Sequence, residues 1–206
     1  AEEDEMFRRG SGPLYELLAA AGREMADCGS RSPIAHAHRR GLLSKNLLAI
    51  HGNYLDDDDI HLLAENHVSL VHCPRSHAYF GHAPFRAEAL RTAGVNLCLG
   101  TDSLATMCAG DAELSLFDEL RAHRAAHPDL ADLELETLLQ CVTVNPARAL
   151  GMAGQVGELA TDAFADLIAL PFDGPIESAL EAIVNHAGPA RSVMLDGEWE
   201  VRSEND

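Results

Sequence analysis

Residues 47–106 read LLAIHGNYLDDDDIHLLAENHVSLVHCPRSHAYFGHAPFRAEALRTAGVNLCLGTDSLAT. Leu47-Leu48-Ala49-Ile50 is an unbroken apolar run that stops at His51. Four aspartates, Asp56 to Asp59, then open an amphipathic segment from Ile60 to Asn66, where acidic side chains suit the positive end of a helix. A second apolar run, Val68 to Val71, stops at His72. A helical stretch from Phe85 to Ala93 ends at Gly94, and a third run, Val95 to Leu99, feeds Gly100-Thr101-Asp102. Continuous apolar runs separated by helical segments are the pattern of strands buried on both faces. The order β-α-β-α-β predicts a parallel sheet in an α/β fold.

Outward from this block, residues 1–22 read as helix broken by Gly10-Ser11-Gly12-Pro13, and Gly29 to Asn46 as a polar, turn-rich stretch. Downstream, helices are expected over Leu114–His127 and Leu133–Cys141. A short helix is expected to be capped by Asn145, with Pro146 first and Gly151 as its stop. The tail changes character. Gly157-Glu158-Leu159, Ala165–Leu170 and Ser192–Val201 read as short strands, the last folded at an Asp196-Gly197 hairpin turn. The expected division is an α/β body over 1–150 and a β unit over 151–206.

The 206 residues include 15 Lys and Arg against 33 Asp and Glu, a formal charge of −18, with 47% hydrophobic residues. That supplies an ordinary core and gives no basic footprint for nucleic acid. No apolar run approaches the roughly 20 residues of a membrane span. Five cysteines without a CxxC fit reduced thiols and a cytoplasmic location. No methionine precedes Ala1, and AEEDEMF reads as a helix already under way, so the chain is expected to begin inside a larger protein.

The chemistry is expected at the carboxyl edge of the three strands, where parallel α/β folds build their sites. His51, His72 and Asp102 each follow an apolar run there. His51 and His72 also read as satisfied core histidines. Asp102 is the harder one to place without a function, because a carboxylate beside a buried strand is costly unless partnered. A divalent metal suits it: one oxygen binds the ion and the other accepts a proton from water that the metal acidifies to a pKa of roughly 7. His51 then binds or orients that water, or polarises the group under attack.

Other candidates are weaker. His36-Ala37-His38 has HxH spacing but no apolar strand leading into it. His123 and His127 lie four apart on a helix without the glutamate of HExxH. The HxE and PCxxC elements of one class of zinc deaminase are absent, as are GxGxxG, GxxxxGK[ST] and GxSxG.

The segment 47–106, followed by LSLFDELR, TVNPARALG and GELATDAFADLIAL, resembles the amidohydrolase superfamily, in the chlorohydrolase and aminohydrolase branch that holds guanine and adenosylhomocysteine/methylthioadenosine deaminases. The resemblance implies strands six to eight of a (β/α)8 metal-dependent hydrolase barrel, with part of a small β-sandwich. It implies that His51 is the strand-six histidine and Asp102 the strand-eight aspartate, both metal ligands and catalytic groups. His72, Ser76, His77 and Ser103 are implied to bind substrate, although many relatives carry Asn where this chain has His77. The implied cofactor is a divalent metal, zinc by default, with iron and manganese tolerated by the same ligands. The implied substrate is a small heterocycle, purine-like, deaminated by metal-bound hydroxide.

The family's HxH on strand one and histidine on strand five have no counterpart in these residues. His36 and His38 fall between strands five and six in the family order, and EEDEMF matches the helix beyond the family's HxxE better than the motif itself, which sets Glu2 aside. The chain alone is therefore expected to bind metal poorly and to be inactive. The alternative is a non-catalytic barrel half acting as a scaffold or oligomerisation module. A homo-oligomer is compatible with either reading.

Overall fold

The structure is a computed structural model that describes residues 2–106, 113–127 and 135–201. The backbone divides into two compact units, Ala1–Leu70 with Ala83–Asn96, and Val71–His82 with Leu97–Asp206.

In the first unit, helices α1 (Glu2–Arg9) and α2 (Pro13–Ala20) flank the expected Gly-Pro break. The stretch read as turn-rich instead contains a helix, α3 (Pro33–Arg39). Its start is locally written: Ser32 Oγ accepts the Ala35 amide at 3.0 Å, and proline takes the first helical position. Strand β1 (Leu48–Ile50) and helix α4 (Asp57–Glu65) follow as expected.

The aspartate run does more than favour a helix dipole. Asp56 Oδ1 accepts the Asp59 amide at 2.8 Å, and the Asp59 carboxylate accepts the Asp56 amide at 3.3 Å, a reciprocal cap. Asp59 is 2% exposed and also accepts the Ser32 hydroxyl. Arg8 spans both acids, with Nη1 2.6 Å from Asp56 and Nη2 2.7 Å from Asp59. One guanidinium and one serine thus tie α1, α3 and α4 together. Burial still pushes the Asp59 carboxyl above its usual range, outweighing the nearby cation. Met6, Ile60, Leu63, Val68, Leu70 and Leu90 pack beneath as buried apolar side chains, each stabilising by about 1.5–3 kcal/mol.

Strand β2 (Ser69–His72) crosses from one unit to the other, and β3 (Leu97–Leu99) is its neighbour; the order is β1-β2-β3. In the first unit the Leu70 amide donates to Asn96 O at 3.0 Å, and in the second the Gly100 amide donates to His72 O at 2.9 Å. Partner numbers rise together along the two chains, which is the parallel arrangement.

The second unit holds α5 (Pro74–Tyr79), α7 (Leu116–Ala126), α8 (Leu135–Gln140), α9 (Val144–Ala149) and α10 (Ala179–Val184), while α6 (Ala87–Thr92) belongs to the first. Leu99, Leu120, Leu138, Cys141 and Val184 form its apolar core. Neither α5 nor α10 is expected from the sequence. Asn145 is a further correction. It lies inside α9 rather than capping it, and its Nδ2 donates to Leu97 O at 2.9 Å, anchoring the helix to β3.

An antiparallel sheet closes the described chain, with β4 (Leu167–Ala169) paired to β5 (Ser192–Leu195) and β5 to β6 (Glu198–Val201). Asp196 and Gly197 both take positive φ, 49° and 82°, as a two-residue hairpin turn requires. The strand expected at Gly157-Glu158-Leu159 does not form. Gly157 runs against Thr143, where a Cβ would stand 2.6 Å from the carbonyl oxygen, so the segment is held as a turn. No helix among the described residues is long and apolar enough to cross a membrane.

Two expected outcomes follow. Arg8→Met leaves two carboxylates facing each other, and should cost about 2–3 kcal/mol at neutral pH by chemical denaturation. Without the guanidinium the folded-state pKa of Asp59 rises further above its unfolded value. The penalty is therefore full above that raised pKa and relieved as the pH falls through it, so the deficit should be smaller at pH 5 than at pH 7. Gly52→Ala should destabilise by about 1–3 kcal/mol, because φ is +59° and the new methyl stands 2.6 Å from Leu70 Cδ1.

Candidate functional site

In the first unit, β1 ends in His51, which is half-buried and has a left-handed backbone, φ 72°. Gly52 follows in the same region at φ 59°. Two consecutive positive-φ residues turn the chain sharply off the strand. Outside glycine such a backbone is uncommon, with Asn, Asp and His the residues that best tolerate it.

The second unit repeats the device. After β3 and Gly100-Thr101, Asp102 sits at φ 57° and its residue surface is exposed. Its Oδ2 accepts the Ser76 hydroxyl at 2.6 Å, and Ser76 is 2% exposed. A short bond from a buried hydroxyl fixes the carboxylate plane and leaves Oδ1 for another ligand. Gly100 is needed beneath it, since a Cβ there would lie 2.8 Å from Val71 Cγ1.

Ser76 owes its position to an ion pair. Glu119 on α7 has no exposed surface, and its Oε1 takes Arg75 Nε at 2.6 Å while Oε2 takes the Arg75 amide at 3.0 Å. Arg75 also reaches Asp118 at 3.3 Å and donates to Glu113 O at 2.8 Å. Burial pushes the Glu119 carboxyl up, with Arg75 opposing it. The Cys73 thiol, beside the same acids, is pushed up to about 12, by burial first and then by Asp102 and Glu119. It stays a thiol at neutral pH and is a poor nucleophile.

His77 follows on α5, its ring 5.2 Å from that of His72 and 5.4 Å from that of His82. His72 itself is 1% exposed. Ser103 is exposed and engaged locally: its Oγ accepts the Ala105 amide at 3.0 Å, and its carbonyl accepts the Thr106 hydroxyl at 2.8 Å, shaping the 3₁₀ turn Leu104–Thr106. The structure thus brings Asp102 and Ser76 into direct contact, and His77 and His72 into ring contact. Arg75 and Glu119, which hold this arrangement, carry no motif that sequence reasoning would select beyond their presence in HCPRS and LFDELR.

His36 and His38 lie on α3, not on a strand, and two residues apart on a helix point to different sides. His123 and His127 take an unexpected place. His123 is 3% and His127 9% exposed, and their rings stand 4.7 Å apart. The His72 ring lies 5.7 Å from that of His123. One nitrogen from each of the three comes within 4.8 Å of the others. Burial, then His127, lowers His123 to about 4, so its imidazole is neutral at neutral pH.

The chain is 40% identical over 149 residues to a 5-methylthioadenosine/S-adenosylhomocysteine deaminase of Syntrophobacter fumaroxidans, covering 70% of this chain and 33% of that protein. It is similar to the crystal structure of an adenosine deaminase from Xanthomonas campestris with bound zinc, at 31% identity and a TM-score of 0.75, covering 84% of this chain and 41% of that one. Helicobacter pylori aminofutalosine deaminase shares the fold at a TM-score of 0.80 and 24% identity, over 97% of this chain and 49% of its own. The chain thus spans less than half the length of these proteins. The model of the amidohydrolase family matches residues 18–199, and with a match over most of its length the chain belongs to the amidohydrolase family.

Proposed function

We propose that this chain supplies the strand-six to strand-eight part of a (β/α)8 metal-dependent hydrolase, residues 1–150, with a portion of a small β-sandwich over 151–206. The reaction is hydrolytic deamination of a purine-like heterocycle. The observation that carries this reading is Asp102. It stands exposed after a parallel strand, in an uncommon backbone conformation, with one oxygen held by buried Ser76 and the other without a hydrogen bond among the described residues. Strain of this kind concentrates at functional sites. The deaminases similar to this chain support the substrate class.

His51 and Asp102 have the nitrogen and oxygen donors that zinc accepts. Zinc bound by donors of these kinds would supply Lewis acidity and lower the pKa of a water molecule. Catalytic zinc sites take three protein ligands or more, so these two donors call for others outside this chain's set. The roles of the chain's own residues follow from chemistry. Asp102 would hold the ion through one oxygen and take a proton from the attacking water on the other. Ser76 holds one carboxylate oxygen and so orients the other. His51 would orient the attacking water, and the proton that Asp102 takes from that water would be the one delivered to the departing amine. His77 and Ser103 offer polar contacts to the heterocycle, and the His72 ring stands 5.2 Å from that of His77.

The test is ammonia release from 5′-methylthioadenosine or S-adenosylhomocysteine with zinc present. It uses the protein expressed from its complete reading frame beside the 206-residue chain. Turnover is expected in the former and none in the latter. Asp102→Asn keeps the backbone and should lower kcat by about 10³-fold or more, and Ser76→Ala by about 10-fold, because it only orients. Turnover that survives Asp102→Asn would overturn the assignment.

A further inference from the structure

His123 and His127 have the four-residue spacing that puts two imidazoles on one helical face, without the glutamate that would make them a protease motif. The third residue comes from elsewhere in the second unit: His72, at the end of β2, meets them from across the packed interior. All three are buried, at 1%, 3% and 9% exposure. Apolar side chains would fill that space at no polar cost. His123 Nδ1 instead lies buried with no hydrogen-bond partner among the described residues, a loss of about 1–3 kcal/mol unless something binds it.

We propose that His72, His123 and His127 form a metal-ion site of their own, separate from the ligands assigned to the deaminase reaction, that takes Zn²⁺ or a chemically similar first-row ion. Three nitrogens bound at about 2.0–2.1 Å around a tetrahedral ion lie roughly 3.3 Å apart, and here they lie within 4.8 Å of one another with no ion present. Modest side-chain rotation closes that gap. His127 is the C-cap residue, just past the last turn of α7. An all-imidazole set suits zinc, cobalt, nickel or copper and rejects magnesium and calcium, which need oxygen. Neutral imidazoles are the ligand form, and burial keeps His123 in it. Bound metal would fasten the end of β2 to the end of α7, so the site acts as a staple beneath the residues that carry His77 and Ser76.

The test uses the 206-residue chain without a histidine tag, carrying His51→Gln and Asp102→Asn to remove the donors of the proposed catalytic metal. After chelator treatment, Co²⁺ is titrated and the visible d–d absorbance is read, with Tm followed in parallel. One Co²⁺ per chain, a tetrahedral-type band, and a Tm that climbs with ion concentration are expected. Adding His123→Gln should weaken binding at least about 100-fold and abolish the concentration-dependent rise in Tm. Circular dichroism checks that this variant folds. If it does not, His127→Gln, at the helix end, is read in the same way. Absence of the band and of the Tm rise in the His51→Gln/Asp102→Asn chain would overturn the proposal, as would binding unchanged by a folded His123→Gln or His127→Gln variant.

Discussion

Glu119 has no surface in contact with solvent, yet it carries a carboxylate, and Arg75 supplies both a side-chain and a main-chain donor to it. A carboxylate buried that deeply is stable only with its bonds complete, and losing one partner of such a pair costs about 3–5 kcal/mol. Because the backbone amide of Arg75 is one of the donors, the pair fixes the start of α5 itself rather than a flexible side chain. Ser76 and His77 are the next two residues, so their positions follow. His72, three residues back, comes against the rings on α7 for the same reason. The ordering of the second unit's polar edge therefore traces to one acid on one helix.

The first unit solves a related problem differently. Its central acid, Asp59, is shared among a serine, a guanidinium and a neighbouring amide, and no single partner accounts for its place. The Asp56–Asp59 run looks in sequence like a charge cluster on a solvated helix start. Two of the four, Asp57 and Asp58, are indeed exposed. The other two are bolts between helices.

What the sequence made legible was periodic and contiguous. The apolar runs ending at His51, His72 and Asp102 lie where β1, β2 and β3 end, and the hairpin at Asp196-Gly197 has the backbone that its residue pair predicts. What it hid was short or non-local. Helices α3, α5 and α10 are short, and two of them begin at a proline that reads equally well as a loop. Asn145 looked like a cap because its neighbours fit one; its amide instead serves a carbonyl 48 residues away, which no local pattern encodes. The candidate site divides the same way. Asp102 was visible because a carboxylate after a buried strand is unusual, whereas the link from Ser76 to it depends on an ion pair 44 residues apart. His123 and His127 showed their mutual spacing but not their third member.

The left-handed backbone at His51 and Asp102 also bears on how such a protein can change over generations. Besides glycine, the side chains that tolerate this conformation are Asn, Asp and His. Random drift at either position is thus filtered by the backbone before chemistry is tested. Two of the three tolerated side chains are good metal ligands, and the remaining escape routes, Asn and Gly, suit the same backbone but not the proposed metal-binding role. Under the proposed assignment, a lineage loses the reaction here in a single step without losing the protein.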